Sequence, residues 1–257
     1  MEAGPARRFV EQHHYSGSWP AVRMAFGMQL LTAAPGPGEP DGGRLVGVLA
    51  LGVPMARAVL TRVFPSLEPY RASVELSRLV LLDEVPSNGE SWMCAASFAL
   101  AAGRGVRGVV AYSDPHPRVR VTPQGREVVT PGHVGHVYAA QDFAYLGRSR
   151  ARRLVVLPDG TVLTDRAAMK VRRDESGHQG VERRLRVLGA RPREEGEPGG
   201  RWLEEALEAI GAGRLDHGGN HLYARSIGAR RTRVTVAPTA YPAPKRHTEA
   251  LSMHYSW

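Results

Sequence analysis

The sequence predicts a mixed α/β fold of the α+β kind, a central sheet flanked by helices. Three observations predict it. Apolar, β-rich runs at residues 44–53, 74–82 and 106–113 read as strands, the last two of the buried type. The run 74–82 passes through the turn Pro86-Ser87-Asn88-Gly89-Glu90-Ser91 straight into a helical stretch. A hydrophobic fraction of 42% over 257 residues is enough for one large core.

The elements follow in order. Residues 23–31 are apolar and read as a strand, and the Pro/Gly/Asp cluster 35–43 turns the chain into strand 44–53. A short helix is expected at 56–63. The strand 74–82 precedes a helix over 90–102, which Gly103 ends. Strand 106–113 is closed by Asp114-Pro115, and 119–129, with Pro123-Gln124-Gly125, reads as an exposed hairpin. A helix is expected at 137–143, and a hairpin at 154–163 split by Pro158-Asp159-Gly160. Helices at 166–173 and 180–188 lead to the Pro/Gly/Glu linker 192–200, the amphipathic helix 202–210 and a late strand at 221–227. From Ala229 the chain is basic and proline-containing, with partial disorder expected. There is no internal repeat.

Composition narrows the classes. No apolar run reaches about 18 residues, which speaks against a membrane span. Residues 1–8 lack the apolar core of a signal peptide, and the single cysteine, Cys94, forms no internal disulfide; both fit a reducing, cytoplasmic setting. Cys94 lies in the apolar helix and reads as a core residue rather than a nucleophile. The net charge of +9 is unevenly spread: residues 145–193 hold 13 basic and 5 acidic side chains. Residues 194–228 carry a net −4 and residues 229–257 a net +4. A basic block of this kind is the electrostatic footprint of a nucleic-acid partner. Only Lys170 and Lys245 are lysine, a bias that explains the use of arginine but not its clustering.

Several polar groups have the chemistry of a site. A strand, a Gly-containing turn and a helix N-terminus (Ser77, Arg78, Asn88, Gly89, Ser91, with Glu75 on the strand) can cradle an anion, or simply join a buried strand to a packing helix. Ser113-Asp114 stands at a strand end, where open α/β sheets bind ligands and where Asp can accept a proton; Asp-Pro also merely ends strands. The run Gly132-His133-Val134-Gly135-His136-Val137-Tyr138, continuing through Gln141 and Tyr145, lets backbone approach a ligand and adds imidazoles, or is an ordinary Gly-rich loop. His13-His14-Tyr15 and His217, Asn220, His221 and Tyr223 complete the groups. His133 and His136 have no CxxC or HExxH context, so zinc is not expected. His133, His136, His217 and His221 could hold iron only if folding gathers them.

The segments FVEQHHYSGSWP (9–20), GVLALGVP (47–54), ELSRLVLLDEVPSNGES (75–91), AYSDP (111–115), GHVGHVYAAQDFAYLG (132–147) and HGGNHLYA (217–224), in that order, resemble the Mom family of phage DNA-modification proteins. The resemblance covers about residues 9–228. It implies a GNAT acyltransferase-like fold with a mostly antiparallel central sheet, as a single catalytic domain over 1–228 with an insertion near 116–131, and a basic tail over 229–257. It implies an enzyme that adds a carbamoylmethyl (acetamido) group to N6 of adenine in double-stranded DNA, protecting phage DNA from restriction. Acetyl-CoA or a related thioester, a small-molecule donor of the acetamido group and double-stranded DNA are the implied cofactor and partners. By motif, His14 and Tyr15 match the His-Tyr pair of the family, Arg78 the Ser-Arg-Leu strand, Ser91 the turn, Asp114 the strand-closing aspartate, and Tyr138 the tyrosine of the Gly-His-Val-Gly segment. The turn holds one glycine, Gly89, where the usual GNAT pyrophosphate loop holds more.

On this reading Asp114, with Ser113 beside it, takes the N6 proton; His14, Tyr15 and Tyr138 serve the base; and Ser77, Arg78, Asn88, Gly89 and Ser91 hold the cofactor. Arg148, Arg150, Arg152, Arg153, Lys170, Arg172 and Arg173 grip phosphates. The competing expectations are a GNAT-like acyltransferase acting on a small amine or nucleoside, and a DNA-binding protein without catalysis.

Overall fold

The computed structural model describes residues 1–31, 43–122, 125–229 and 232–242. The expected turn at 35–42, the Pro123-Gln124 tip and the tail from 243 onward lie outside the described residues.

The chain opens on α1 (Ala3–His13), which the sequence reading did not foresee; Ala6, Phe9 and Val10 recur at helical spacing and are buried. Then come β1 (Val22–Leu31), β2 (Gly43–Gly52), α2 (Arg57–Val63), β3 (Ser73–Leu81), α3 (Gly89–Gly103) and β4 (Gly108–Ser113), close to expectation. The hairpin β5 (Arg118–Thr122) and β6 (Gly125–Thr130) also forms. The helix expected at 137–143 is only α4 (His136–Ala139), because the chain turns at Asp142, whose φ is +52°. Two strands were unforeseen: β7 (Ala144–Arg148), and, after β8 (Arg152–Val156), β9 (Val162–Leu163), α5 (Asp165–Arg172), α6 (His178–Val187) and α7 (Gly199–Ala209), the polar β10 (Gly213–His217). Last is β11 (His221–Ser226). The Thr164 Oγ1 accepts the Ala167 N–H at 3.2 Å and caps α5.

Two compact units result. The first comprises Met1–Pro115, His133–Ser149 and Asn220–Ala243. It is built on a six-stranded sheet in the order β1-β2-β3-β4-β11-β7. All neighbours are antiparallel except β3 and β4, which are parallel and joined through α3. One face packs on α3 through Phe26, Leu49, Leu76, Met93, Phe98, Val109 and Tyr223. The other face is covered by α1, with Phe9, Val10 and Val48, and by α2, with Leu60, Phe64 and Val110. Residues 232–242 of the expected tail are ordered against this unit: the Thr235 N–H donates to Val63 O at 3.1 Å and the Thr239 N–H to Tyr145 O at 2.8 Å.

The second unit comprises His116–Gly132 and Arg150–Gly219 among the described residues. The three-stranded sheet β10-β8-β9 and helices α5, α6 and α7 share a core of Leu157, Leu163, Val171, Leu185, Trp202 and Leu203. The segment expected as an insertion, 116–131, belongs to this unit. Among the described residues no helix is long and apolar enough to cross a membrane.

Candidate active site

The first unit carries a slot between its two parallel strands. β3 and β4 pair from Ser73↔Gly108 to Leu76↔Ala111 and no further, although β3 runs on to Leu81 and β4 to Ser113. Beyond that point one edge of β3 faces no strand among the described residues. The slot opens at the C-terminal ends of the parallel pair, the end where α/β sheets hold ligands.

A β-bulge shapes its wall. Against β2, Leu76 pairs with Leu51 and Arg78 with Ala50, so Ser77 is the extra residue. A bulge shifts the alternation of side chains by one. Val74 and Leu76 before it, and Leu79 and Leu81 after it, all pack toward α3, while Val80 packs toward α1. Glu75 and Arg78, three positions apart, therefore share the α1 face, which regular alternation would forbid.

Arg78 orders the chain that follows α1. Its Nε and Nη2 donate to Ser18 O and Ser18 Oγ at 3.2 and 3.0 Å, and its Nη1 to Ser77 O at 2.6 Å. The Ser18 hydroxyl reaches Ser16 Oγ at 3.3 Å, and Ser16 Oγ lies 2.8 Å from His14 Nδ1. That Nδ1 also accepts the Ser16 N–H at 3.1 Å, so the neutral ring carries its proton on Nε2. Burial, then the charges of Arg78 and His133, hold His14 down to about 4. The half-exposed Tyr15 ring lies 4.2 Å from that of His14.

Glu75 is the residue whose role the sequence reading missed; it entered only as a neighbour of Ser77 and Arg78. Burial pushes its carboxyl up to about 7, more than the opposing pull of Arg78 and Ser77. A group poised there exchanges its proton at neutral pH, as a catalytic base must. The signal was available: Glu75 is the one acid within β3, set between the buried Val74 and Leu76.

The Gly-His-Val-Gly segment closes the other side. Gly132 and Gly135 adopt φ of +69° and +72°. A Cβ on Gly135 would sit 2.6 Å from Tyr138 Cδ2 and 3.1 Å from Tyr223 Cε2, so only glycine fits between these rings. The Tyr138 hydroxyl donates to Tyr112 O at 3.2 Å, one residue past the last β3–β4 pair, and the Tyr223 hydroxyl donates to Val134 O. The His133 N–H donates to Asp114 O at 2.8 Å. Burial lowers the His133 pKa against the opposing Asp114 carboxylate. Ser113 is buried beside Tyr223. Gln141 Oε1 accepts from Arg225 at 3.2 Å, and the Tyr145 hydroxyl lies 2.8 Å from His221 Nδ1. Cys94, pushed up to about 12 chiefly by burial, is a packing thiol.

Of the residues expected to hold a cofactor, Ser77 and Arg78 lie at the bulge, with the Arg78 guanidinium occupied by Ser18 and Ser77. Asn88, Gly89 and Ser91 lie at the start of α3. The missing Cβ of Gly89 makes room for Val85 Cγ1, 2.3 Å from where it would stand, so this glycine serves packing. The N–H groups of Glu90 and Ser91 keep no bond among the described residues. The free edge of β3 suits an extended, amide-bearing arm such as that of a thioester cofactor. Glu90, in the first turn of α3, makes the helix start a poor seat for a diphosphate, however.

The expected phosphate-gripping residues divide. Arg148 belongs to the first unit and Arg150, Arg152, Arg153, Lys170, Arg172 and Arg173 to the second. Arg153 pairs with Asp216 at 2.9 Å; the other six form no ion pair among the described residues. Elsewhere in the basic block, Arg166, Arg184, Arg191 and Arg193 are tied to Glu175, Asp159, Glu197 and Glu205, and Asp174 and Glu182 respectively. The block is less free than its composition indicates.

His133, His136, His217 and His221 supply no group of three ligand atoms close enough to share an ion among the described residues. Among the described residues only Asp174, His178 and Glu182 come close enough to share an ion. There Arg193 already bonds Asp174 and Glu182, and His178 Nδ1 lies 2.9 Å from Glu182. No iron site is supported.

A model of the Mom protein family matches residues 2–193. The chain belongs to the Mom family. The Mom match ends before β11, the strand that joins β4 to β7, so the family's matched span does not include the full sheet. No curated protein matches this chain. Among solved structures it is similar to an N-acetylglutamate synthase from Neisseria gonorrhoeae complexed with coenzyme A and N-acetyl-glutamate, at 12% identity and a TM-score of 0.28, over 74% of this chain and 24% of that one. It is also similar to a tandem GNAT protein of the clavulanic acid biosynthesis pathway, at 14% identity and a TM-score of 0.28, over 75% of this chain and 58% of that one. This chain thus spans about a quarter and somewhat over half of their lengths, and overlays this loose assign no residue a role.

Proposed function

We propose that this Mom-family chain is a transferase that adds a carbamoylmethyl group to N6 of adenine in double-stranded DNA, acting in the cytoplasm. The observation that carries the reading is the slot past Leu76 and Ala111, with Glu75, whose carboxyl is near-neutral, one residue before it opens. The N6 lone pair of adenine is delocalised into the ring, so N6 becomes a competent nucleophile only as a proton leaves it. Glu75 accepts that proton while N6 bonds the donor carbon and the leaving group departs with its electron pair. Asp114 positions the Gly132–Tyr138 segment through its backbone and His133, and stands second as the base. N6 is paired in duplex DNA, so the base must be turned out of the stack. Tyr15, exposed beside His14, meets it at the slot.

Acetyl-CoA or a related thioester would lie along the free β3 edge beside Ser77 and, when bound, would supply an acyl group with loss of its thiolate; the carbamoylmethyl group calls for a small-molecule donor whose leaving group sits on the methylene carbon that N6 attacks. Arg148, Arg150, Arg152, Lys170, Arg172 and Arg173 grip the phosphates without reading sequence.

A second reading, an acyltransferase for a small amine, gains from the ion pairs that occupy Arg153, Arg166, Arg184, Arg191 and Arg193. Expression beside a plasmid, digestion of the DNA to nucleosides and mass analysis decide between them. A deoxyadenosine heavier by one carbamoylmethyl group, absent with Glu75→Gln, supports the first. Unmodified DNA, with purified protein that acylates amines, supports the second.

A further inference from the structure

We infer that Tyr241 is a stacking platform for an extruded nucleobase beside the ring cluster of Tyr145, Tyr223 and Tyr138. The inference rests on the DNA reading above and adds a residue well outside the span 2–193 matched by the family.

Tyr241 is held flat. The segment that carries it is fixed by Thr235, whose Oγ1 donates to Arg62 O at 2.6 Å, and by the Thr239 N–H on Tyr145 O at 2.8 Å. Its ring lies 6.2 Å from that of Tyr145 and 6.3 Å from that of Tyr223, at interplanar angles of 26° and 28°. Both backing rings are immobilised: Tyr145 by His221 and Tyr223 by the Val134 carbonyl. They are buried, at 7% and 0% exposure, whereas Tyr241 is 46% exposed. Tyr241 thus lies against two fixed rings and remains half exposed. The aromatic wall runs inward as well: Tyr223 lies 5.0 Å from Tyr138, whose hydroxyl sits at the slot.

A rigid, half-exposed aromatic face is what an unpaired base stacks on, whatever its identity. It loses little conformational entropy on binding, because Tyr145 and Tyr223 have already fixed its orientation. Asp142 is the charged group that couples to the Tyr241 phenol. Its charge keeps phosphates away from that side and leaves the ring face as the attraction.

The test uses the full chain and DNA carrying 2-aminopurine, a base whose fluorescence falls when it stacks on an aromatic ring. Wild type should quench 2-aminopurine in a single strand on binding. Tyr241→Phe should behave as wild type, because the flat ring is kept. Tyr241→Leu still covers Tyr145 and Tyr223 but offers no π-face; it should lose the quench and bind the strand about 10- to 100-fold more weakly, with an unchanged unfolding midpoint. A Tyr241→Leu protein that quenches and binds like wild type overturns the platform while leaving the DNA reading in place. A wild-type protein that binds neither the strand nor a duplex overturns both.

Discussion

Replacing Glu75 with Gln tests whether β3 really holds a strained carboxyl just before the slot. In the unfolded chain Glu75 ionises near 4.5; in the folded chain it does so at about 7. Below pH 4.5 both states are protonated and the group is neutral to stability. Between 4.5 and 7 the folded state holds the proton and the unfolded state releases it, so stability falls as pH rises. About 2.5 pH units at 1.36 kcal/mol each, reduced for residual solvent contact, gives a loss of roughly 2–3 kcal/mol that is complete by pH 8. Glu75→Gln keeps the shape and removes the charge. Relative to wild type, it should therefore gain roughly 2–3 kcal/mol between pH 4.5 and 8, about 4–10 °C in unfolding midpoint for a chain this size. The same substitution should lower DNA modification by about 100-fold or more if Glu75 is the base. Differential scanning calorimetry of both proteins across that pH range reads the first effect and nucleoside mass analysis the second. Wild-type and variant midpoints that run parallel at every pH would refute the reasoning, because Glu75 would then titrate like a surface carboxyl.

His14 should tilt the same range the other way. Its folded value of about 4 lies below the ordinary 6.5, so the stability it contributes is present above pH 6.5 and lost as pH falls toward 4. In wild type the two groups offset each other, and His14→Gln should show stability falling from pH 4.5 to 7; a flat curve for that variant would count against it. Gly135→Ala, with a Cβ 2.6 Å from Tyr138 and a φ of +72°, should cost roughly 2 kcal/mol or more, whereas Gly103→Ala, with nothing within 4 Å, should be neutral or stabilising; urea midpoints compare them. Replacing Arg172 and Arg173 together with Ser should reduce the slope of log affinity for duplex DNA against log salt by about 2, and an unchanged slope removes them from the interface.

The sheet was legible in the sequence wherever strands are covered on both faces. β2, β3 and β4 read as continuous apolar runs because α1 and α2 lie on one side and α3 on the other. β10, with the sequence GRLDH, has no such run and exists by pairing with β8; β7 is five residues long and exists by pairing with β11. The site was legible as a set of segments but not as an arrangement. Asp114 stood out because a strand end is visible in sequence, whereas Glu75 gains its environment from a bulge, which is a relation between two strands. Gly89 suggested an anion's approach, and its missing side chain also leaves room for Val85. The basic block was counted correctly, yet a count cannot see that Arg191 and Arg193 each bridge two carboxylates.

The bulge also explains why two separate segments belong to one site. Ser77 is the inserted residue, and an added strand residue needs somewhere for its side chain to go. Its Oγ lies 2.7 Å from where a Cβ on Gly52 would stand, and Ala21 O lies 2.5 Å from the same point. Gly52 at the end of β2 is therefore the vacancy into which the bulge settles, and any larger residue would press Ser77 back toward regular alternation. Regular alternation would turn Arg78 to the α3 side, away from Glu75, and release Ser18 and with it the His14–Tyr15 chain. GVLALGVP and ELSRL are thus two halves of one device. The first supplies a missing side chain, and the second uses the space to bring a carboxyl, a guanidinium and an imidazole to the same face of an open slot.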